Sequence, residues 1–198
     1  MKKISTCSLK KIFKREIEFL LDGVTNILNP YHFFYLSTIN NDEPSIRTIV
    51  NRGIDKEPFS IYFNADYRSP KIKNLLKNNK CSILFYDNKR KIQIRANCKS
   101  LINYKNKISK INWDKTPLQS RKCYMGKFKP SQQLNEWHPN FPIKYLKCDP
   151  DRKDSNSGYE NFTIVKLAVQ TIDLLELHHD GHIRFSINSD GKINFIAP

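Results

Sequence analysis

Glycine is scarce in this chain, with six in 198 residues, and cysteine is sparse and unpatterned. The five cysteines (Cys7, Cys81, Cys98, Cys123, Cys148) are odd in number and scattered, and no C-x-x-C occurs. This argues against a disulfide framework or a cysteine zinc site and fits a reduced, cytoplasmic compartment. Long apolar runs are missing too: none approaches the ~18 residues of a membrane span. Met1-Lys-Lys-Ile begins like a signal peptide, but Lys10-Lys11 and Lys14-Arg15-Glu16 interrupt any apolar core behind it. No internal repeat or domain linker is visible, and no RNP-like or helix-turn-helix pattern organises the basic residues. Acidic residues are few, 19 against 34 Lys and Arg, for a formal charge of +15. Such an excess invites a nucleic-acid reading. Lysine, asparagine and isoleucine are heavily used while glycine is rare, however, a bias that AT-rich coding also produces. A solvated basic surface that favours anionic ligands is therefore the preferred reading, and nucleic acid the disfavoured partner.

What is present is enough for a packed core. The chain is 39% hydrophobic and 12% aromatic, and its length fits one domain, 1–198, burying roughly 70% of its unfolded surface. Residues 1–29 are expected to hold an N-terminal helix, its apolar positions from Ile12 to Val24 spaced for one face and its end near Asn29-Pro30. Three strands follow as a meander, about 32–39, 44–52 and 59–64, then a helix from Ser69 to about Asn78. Cys81–Tyr86 and Lys91–Cys98 read as a hairpin. Tyr104 to Tyr124 has helical spacing, and residues 126–160 read as a long surface loop. Short strands at 162–169, 174–177, 182–187 and 192–196 close the chain. Many short antiparallel strands with few helices predict a mainly β, α+β fold: a small barrel with helical insertions.

The segment Ser60-Ile-Tyr-Phe-Asn-Ala-Asp-Tyr-Arg-Ser-Pro-Lys71 carries chemistry. Ser60 to Asn64 alternates as a strand, and Ser69-Pro70 opens a helix with a hydroxyl N-cap and a proline at the first helical position. Unpaired N–H groups there attract an anion, and Arg68 and Lys71 add charge. The strand Pro44–Arg52 could bring Arg47 to the same place. The pattern predicts a phosphate pocket; a capped helix beside a surface arginine is the plain alternative.

These motifs fall into a known order. Arg47-Thr48-Ile49-Val50, then Asn64 through Ser69-Pro70-Lys71, then Leu84-Phe85-Tyr86 and Arg90–Arg95, resemble the FMN-binding region of the pyridoxamine 5'-phosphate oxidase family. Ile172–Leu177, His182-Ile-Arg184-Phe185 and Ala197-Pro198 resemble its end. The likeness is to a divergent branch, with Ser-Pro-Lys where the name-giving enzyme has Ser-Arg-Lys. It implies a homodimeric FMN-binding split β-barrel with the cofactor between subunits. Arg47 and Lys71 would hold the FMN phosphate, with Ser69 and Pro70 at the helix start. Backbone groups of Thr48, Ile49 and Val50 would lie along the flavin, and an Asn64-Ala65 turn near the ribityl chain. Lys91 takes the place of a ring-contacting glutamine, two residues before Gln93 on the same face. For both, the alternative is the solvent-facing half of an edge strand.

On the substrate side, Arg52 and Arg121 occupy two cationic positions of a phosphate clamp, but Pro117 and Met125 replace its tyrosine and serine. His182 matches a histidine at the reacting face and Arg184 an arginine near the flavin, while Leu175 replaces a tryptophan. The resemblance implies an oxidoreductase that passes a hydride from a small anionic, phosphorylated substrate to flavin N5, with oxygen as acceptor. A flavin-binding protein without that activity is the alternative. His178, His179 and His182 do not form a metal set, because adjacent histidines on a strand point to opposite faces.

Overall fold

The computed structural model describes residues 4–198, so Met1-Lys-Lys lies outside the described residues. The chain forms two compact units. The first comprises Met1–Phe63, Asn78–Leu101 and Lys166–Pro198, the second Asn64–Lys77 and Ile102–Val165.

In the first unit, helix α1 (Thr6–Asp22) starts at Ser5, whose hydroxyl accepts from Ser8 N at 3.3 Å. It buries Leu9, Ile17 and Leu20. The helix stops well before Leu28, where sequence periodicity carried it. Asn29 Nδ2 takes the Phe19 carbonyl at 3.0 Å and Asp22 Oδ2 at 2.7 Å, which closes the last turn from outside. Gly23 is required there, since a Cβ would lie 2.7 Å from the Tyr31 backbone.

Strands β1 (Phe33–Asn40), β2 (Glu43–Val50), β3 (Gly53–Lys56), β4 (Phe59–Asp66), β5 (Lys80–Asp87), β6 (Ile92–Tyr104), β7 (Phe162–Glu176), β8 (Ile183–Asn188) and β9 (Ile193–Phe195) form one sheet among the described residues. The order is β2-β1-β5-β6-β7-β4-β3, with β8 on β7 and β9 on β8. Side chains alternate at period two, so Phe34 and Leu36, Ile83 and Phe85, and Ile92, Ile94 and Ala96 are buried while their neighbours face out. Phe85 packs on Tyr31 and Phe34 at centroid distances of 5.5 and 5.2 Å, and Phe34 on Phe63 at 6.2 Å. β7 is one strand of 15 residues rather than the two short ones expected. Polar Gln170 and Thr171 do not break it, because β8 takes over pairing from Thr171 onward.

A buried ionic cluster anchors α1. Glu16 is fully buried and accepts from Arg15 Nε at 2.7 Å, Tyr31 Oη at 2.8 Å and Arg90 Nη1 at 2.9 Å. Arg90 also bonds Asp87 and lies 3.7 Å over the Phe19 ring, and Arg15 reaches Glu176. Burial, then the Glu16 charge, pushes the Tyr31 phenol well above its ordinary range.

The second unit holds α2 (Pro70–Lys77), α3 (Lys107–Lys115), α4 (Leu118–Arg121) and α5 (Arg152–Ser155). The chain expected to be helical over 104–124 is interrupted: β6 runs to Tyr104, and Thr116 is extended before Pro117, which separates α3 from α4. The stretch 126–160 is not wholly loop. It contains α5 and 3₁₀ turns at Ile143–Tyr145 and Asn156–Asn161. Trp113 is the centre of this unit, its ring 5.1 Å from Phe162 and 5.9 Å from both Tyr124 and Tyr159.

Candidate functional site

In the second unit the chain passes from β4 into α2 through a tight turn. Asn64 and Ala65 lie within β4 rather than in a turn; the turn falls at Tyr67-Arg68. Asp66 builds it by accepting from Arg68 N at 2.8 Å and from the Arg68 guanidinium at 3.0 and 2.7 Å. Arg68 also bonds the Gly126 carbonyl at 2.9 Å. Its charge is therefore committed to the protein, a correction to the expectation that it faces an anion. Ser69 is 1% exposed, and its carbonyl accepts from Ile72 N and Lys73 N. The hydroxyl does not cap the helix: Ser69 Oγ is buried and bonds no group among the described residues. Pro70 is exposed and Lys71 half-buried at the start of α2. A buried hydroxyl without a partner, at a helix start beside a lysine, fits a phosphate oxygen.

Arg121, in the same unit, does not offer its charge outward. It is 2% exposed, and Nε bonds the Thr116 carbonyl at 3.1 Å, Nη1 bonds Ser155 Oγ at 3.2 Å, and Nη2 bonds the carbonyls of Trp113 and Asp114 at 2.8 and 3.3 Å. The guanidinium sits 4.6 Å from the Trp113 ring centre. Burial, then Arg152, lowers its pKa. The side chain ties the end of α3 to α5, so its assignment as a substrate-phosphate ligand is corrected.

In the first unit, Arg47 on β2 is half-buried. Nη1 bonds the Leu36 carbonyl at 3.2 Å and Thr38 Oγ1 at 2.8 Å, and Nη2 bonds Ser45 Oγ at 2.7 Å. All three acceptors are neutral, and burial lowers its pKa. Along the same strand Thr48 is exposed, Ile49 buried and Val50 half-buried. Arg52 is exposed, and among the described residues its side chain makes no hydrogen bond or ion pair; its backbone N–H bonds the Tyr62 carbonyl at 2.9 Å.

Lys91 is not on a strand. With φ of 57° it is an exposed turn residue, its ammonium on Asn88 Oδ1 at 3.1 Å, while Gln93 is half-buried on β6. His182 is exposed just before β8, and Nδ1 accepts from His178 N at 3.2 Å, which leaves the proton of the neutral ring on Nε2. Arg184 grips Asp173 through Nε at 3.1 Å and Nη2 at 2.7 Å, and Arg95 bonds the same carboxylate. The Arg184 bond, then that of Arg95, holds the Asp173 carboxyl below its ordinary range. Arg184 is thus half-buried and paired.

Residues 10–103 match the family model described as pyridoxamine 5'-phosphate oxidase, FMN-binding domain. Among solved structures, a pyridoxamine 5'-phosphate oxidase-related, FMN-binding protein from Nostoc punctiforme is similar over 99% of this chain and 100% of its own, with TM-score 0.73 and 16% identity. PhzG from Burkholderia lata, solved with tetrahydrophenazine-1-carboxylic acid, is similar over 96% and 92%, with TM-score 0.67 and 16% identity. A protein related to general stress protein 26 from Clostridium acetobutylicum gives 90%, 96%, 0.56 and 13%. At these identities the likeness is one of fold. No curated protein matches the chain.

Proposed function

We propose, for a chain whose residues 10–103 match the pyridoxamine 5'-phosphate oxidase FMN-binding family model, an FMN-dependent oxidoreductase whose substrate is not gripped by the family's phosphate clamp. The observation that carries the reading is the buried Ser69 hydroxyl, unsatisfied at the start of α2. In the second unit Ser69 and Lys71 would hold phosphate oxygens, and Asn64 and Ala65 would lie along the ribityl chain. In the first unit Arg47 brings a half-buried charge bonded only to neutral acceptors, and the β2 backbone from Thr48 to Val50 supplies polar groups along the flavin. When bound, FMN supplies the two-electron redox chemistry, accepting a hydride at N5; the protein supplies position and electrostatics.

The substrate side is read from which groups are free. His182 presents Nε2–H as a donor with its ring oriented by the His178 backbone. Arg52 is the available cation, in place of the buried Arg121. Arg184 acts through Asp173 as a fixed strand-end charge pair. A small anion that needs one cation rather than a full clamp fits this set, with oxygen as the electron acceptor. The reading includes a cytoplasmic homodimer with the cofactor at the subunit interface. Among the described residues no helix is long and apolar enough to cross a membrane.

Absorbance between about 350 and 500 nm on fresh protein tests the cofactor. An oxidised flavin band is expected, lost in Arg47→Ala, Lys71→Ala; unchanged FMN affinity in that pair would show the site to be misplaced. Oxygen uptake and aldehyde formation with pyridoxamine and pyridoxine 5'-phosphates test the substrate. The second reading, a flavin-binding protein without oxidase activity, is favoured by the commitment of Arg121 to carbonyls. A bound flavin that dithionite reduces and no candidate amine or alcohol reduces would establish it.

A further inference from the structure

The outward face of the sheet in the first unit holds a charge arrangement that the cofactor reading does not use. β5 and β6 pair so that Lys80 stands directly opposite Lys99. Directly opposed side chains have Cβ atoms about 4.5–5.5 Å apart, and like charges there destabilise the ladder. The ladder end cannot splay to relieve them, because Ser100 N bonds the Asn79 carbonyl at 2.8 Å just beyond the pair. Both lysines are exposed, and among the described residues neither ammonium has a hydrogen bond or ion pair.

A cavity of about 470 Å³ borders both, lined on a polar side by Asn78, Ser82, Asn97 and Gln170 and on an apolar one by Ile39, Cys81 and Cys98, and no acidic residue contributes to its wall. The polar side is held in place. Ser82 Oγ bonds Asn97 Oδ1 at 2.9 Å, and Asn97 Nδ2 bonds Thr171 Oγ1 at 3.3 Å. Asn78 Oδ1 accepts from Lys80 N at 3.1 Å, which leaves the Asn78 amide nitrogen as a donor. Nearby, the protein neutralises its own cations where it needs them neutral, as Arg95 and Arg184 do on Asp173. At Lys80 and Lys99 it does not.

We infer that Lys80 and Lys99 form a binding site for a small multivalent oxyanion, a phosphate group either free or at the end of a larger molecule. Two compact ammonium groups with flanking amides suit such an anion, which converts a repulsive pair into two charge-assisted contacts. The pair shares no residue with the set Ser69 and Lys71, so substitution of the two lysines tests it by itself.

The test compares wild type with Lys80→Gln, Lys99→Gln and the double variant, so that any anion taken at α2 cancels. In phosphate-free, low-salt buffer the double variant is expected to unfold at a higher temperature than wild type, because the repulsion is gone. Titration of inorganic phosphate at matched ionic strength, followed by calorimetry, is expected to show a lysine-dependent site that each single variant weakens about tenfold. Glycerol phosphate in place of inorganic phosphate distinguishes the source: tighter lysine-dependent binding assigns a phosphorylated molecule, weaker binding the free ion. Equal phosphate affinity in wild type and double variant, or a lowered unfolding temperature of the double variant without phosphate, overturns the site.

Discussion

Ser69→Ala separates a ligand-facing hydroxyl from a structural one, because the two predict opposite signs. Ser69 Oγ is buried and bonds nothing among the described residues. Removing a hydroxyl from water without a partner costs about 1–3 kcal/mol in protein mutational data. The usual loss on removing a serine cap does not apply, since this hydroxyl makes no capping bond; the Ser69 carbonyl, which accepts from Ile72 N and Lys73 N, survives the change. Cofactor-free Ser69→Ala is therefore expected to be about 1–2 kcal/mol more stable than wild type, a shift of roughly 0.5 M in the urea midpoint at an ordinary slope. With FMN at about 100 times its dissociation constant, wild type gains about 2.7 kcal/mol. If the lost phosphate contact weakens FMN tenfold, the variant gains only about 1.4 kcal/mol at that concentration, so FMN stabilises it about 1.3 kcal/mol less. Urea titrations with and without FMN, on both proteins, measure all four values. A variant destabilised without cofactor would refute the orphan hydroxyl, and an equal FMN response would refute its placement against the cofactor.

Glu16→Gln removes a fully buried charge that Arg15, Tyr31 and Arg90 all face; a loss of about 3–5 kcal/mol in urea unfolding is expected, against about 1 for Tyr31→Phe. Comparable losses in the two would show that the cluster is not held by the carboxylate. Arg121→Met is expected to lower stability by several kcal/mol while leaving the KM of any turned-over substrate unchanged, because its donors end on carbonyls and Ser155; a raised KM with unchanged stability would return it to the substrate. Asp173 has a folded pKa held below its ordinary 3.8 by Arg184 and Arg95, so its contribution is present above that value and lost as pH falls through the depressed folded pKa. Acid unfolding of Asp173→Asn should show a shallower fall below about pH 4 than wild type; identical pH profiles would remove the pair from the stability balance.

Strand positions were legible because burial here follows simple alternation. Phe34 and Leu36, or Ile92, Ile94 and Ala96, are inward by period alone, and Ser69-Pro70 marked α2 because few other structures use that pair so well. The break at Thr116-Pro117 was also written in the sequence, and helical spacing from Tyr104 to Tyr124 masked it. β7 was misread for the opposite reason: the apolar run lapses at Gln170 and Thr171, but the strand takes up β8 as a partner there instead of ending. Lys91 takes a positive φ that its residue type does not announce. The fates of the arginines could not be read at all. Arg121 meets Ser155, 34 residues away, and Arg95 meets Asp173, 78 residues away. A motif fixes which cation is present, while tertiary folding decides which acceptor takes it.

That division shows in where a chain of charge +15 spends its few acidic residues. Its carboxylates are placed where cations would otherwise be buried or crowded: Asp66 on Arg68, Glu16 and Asp87 on Arg90, Asp173 on Arg95 and Arg184. Arg121 needs none, because main-chain carbonyls and an indole face solvate it. Positive charge left uncompensated then collects where the structure also supplies neutral hydrogen-bonding groups. Arg47 sits among a carbonyl and two hydroxyls, and Lys80 and Lys99 beside the amides of Asn78 and Asn97. The carbonyl and hydroxyls around Arg47 orient that cation without cancelling its field. An incoming oxyanion thus meets a positioned, uncancelled charge at Arg47, and at Lys80 and Lys99 two exposed ammonium groups that no carboxylate among the described residues neutralises.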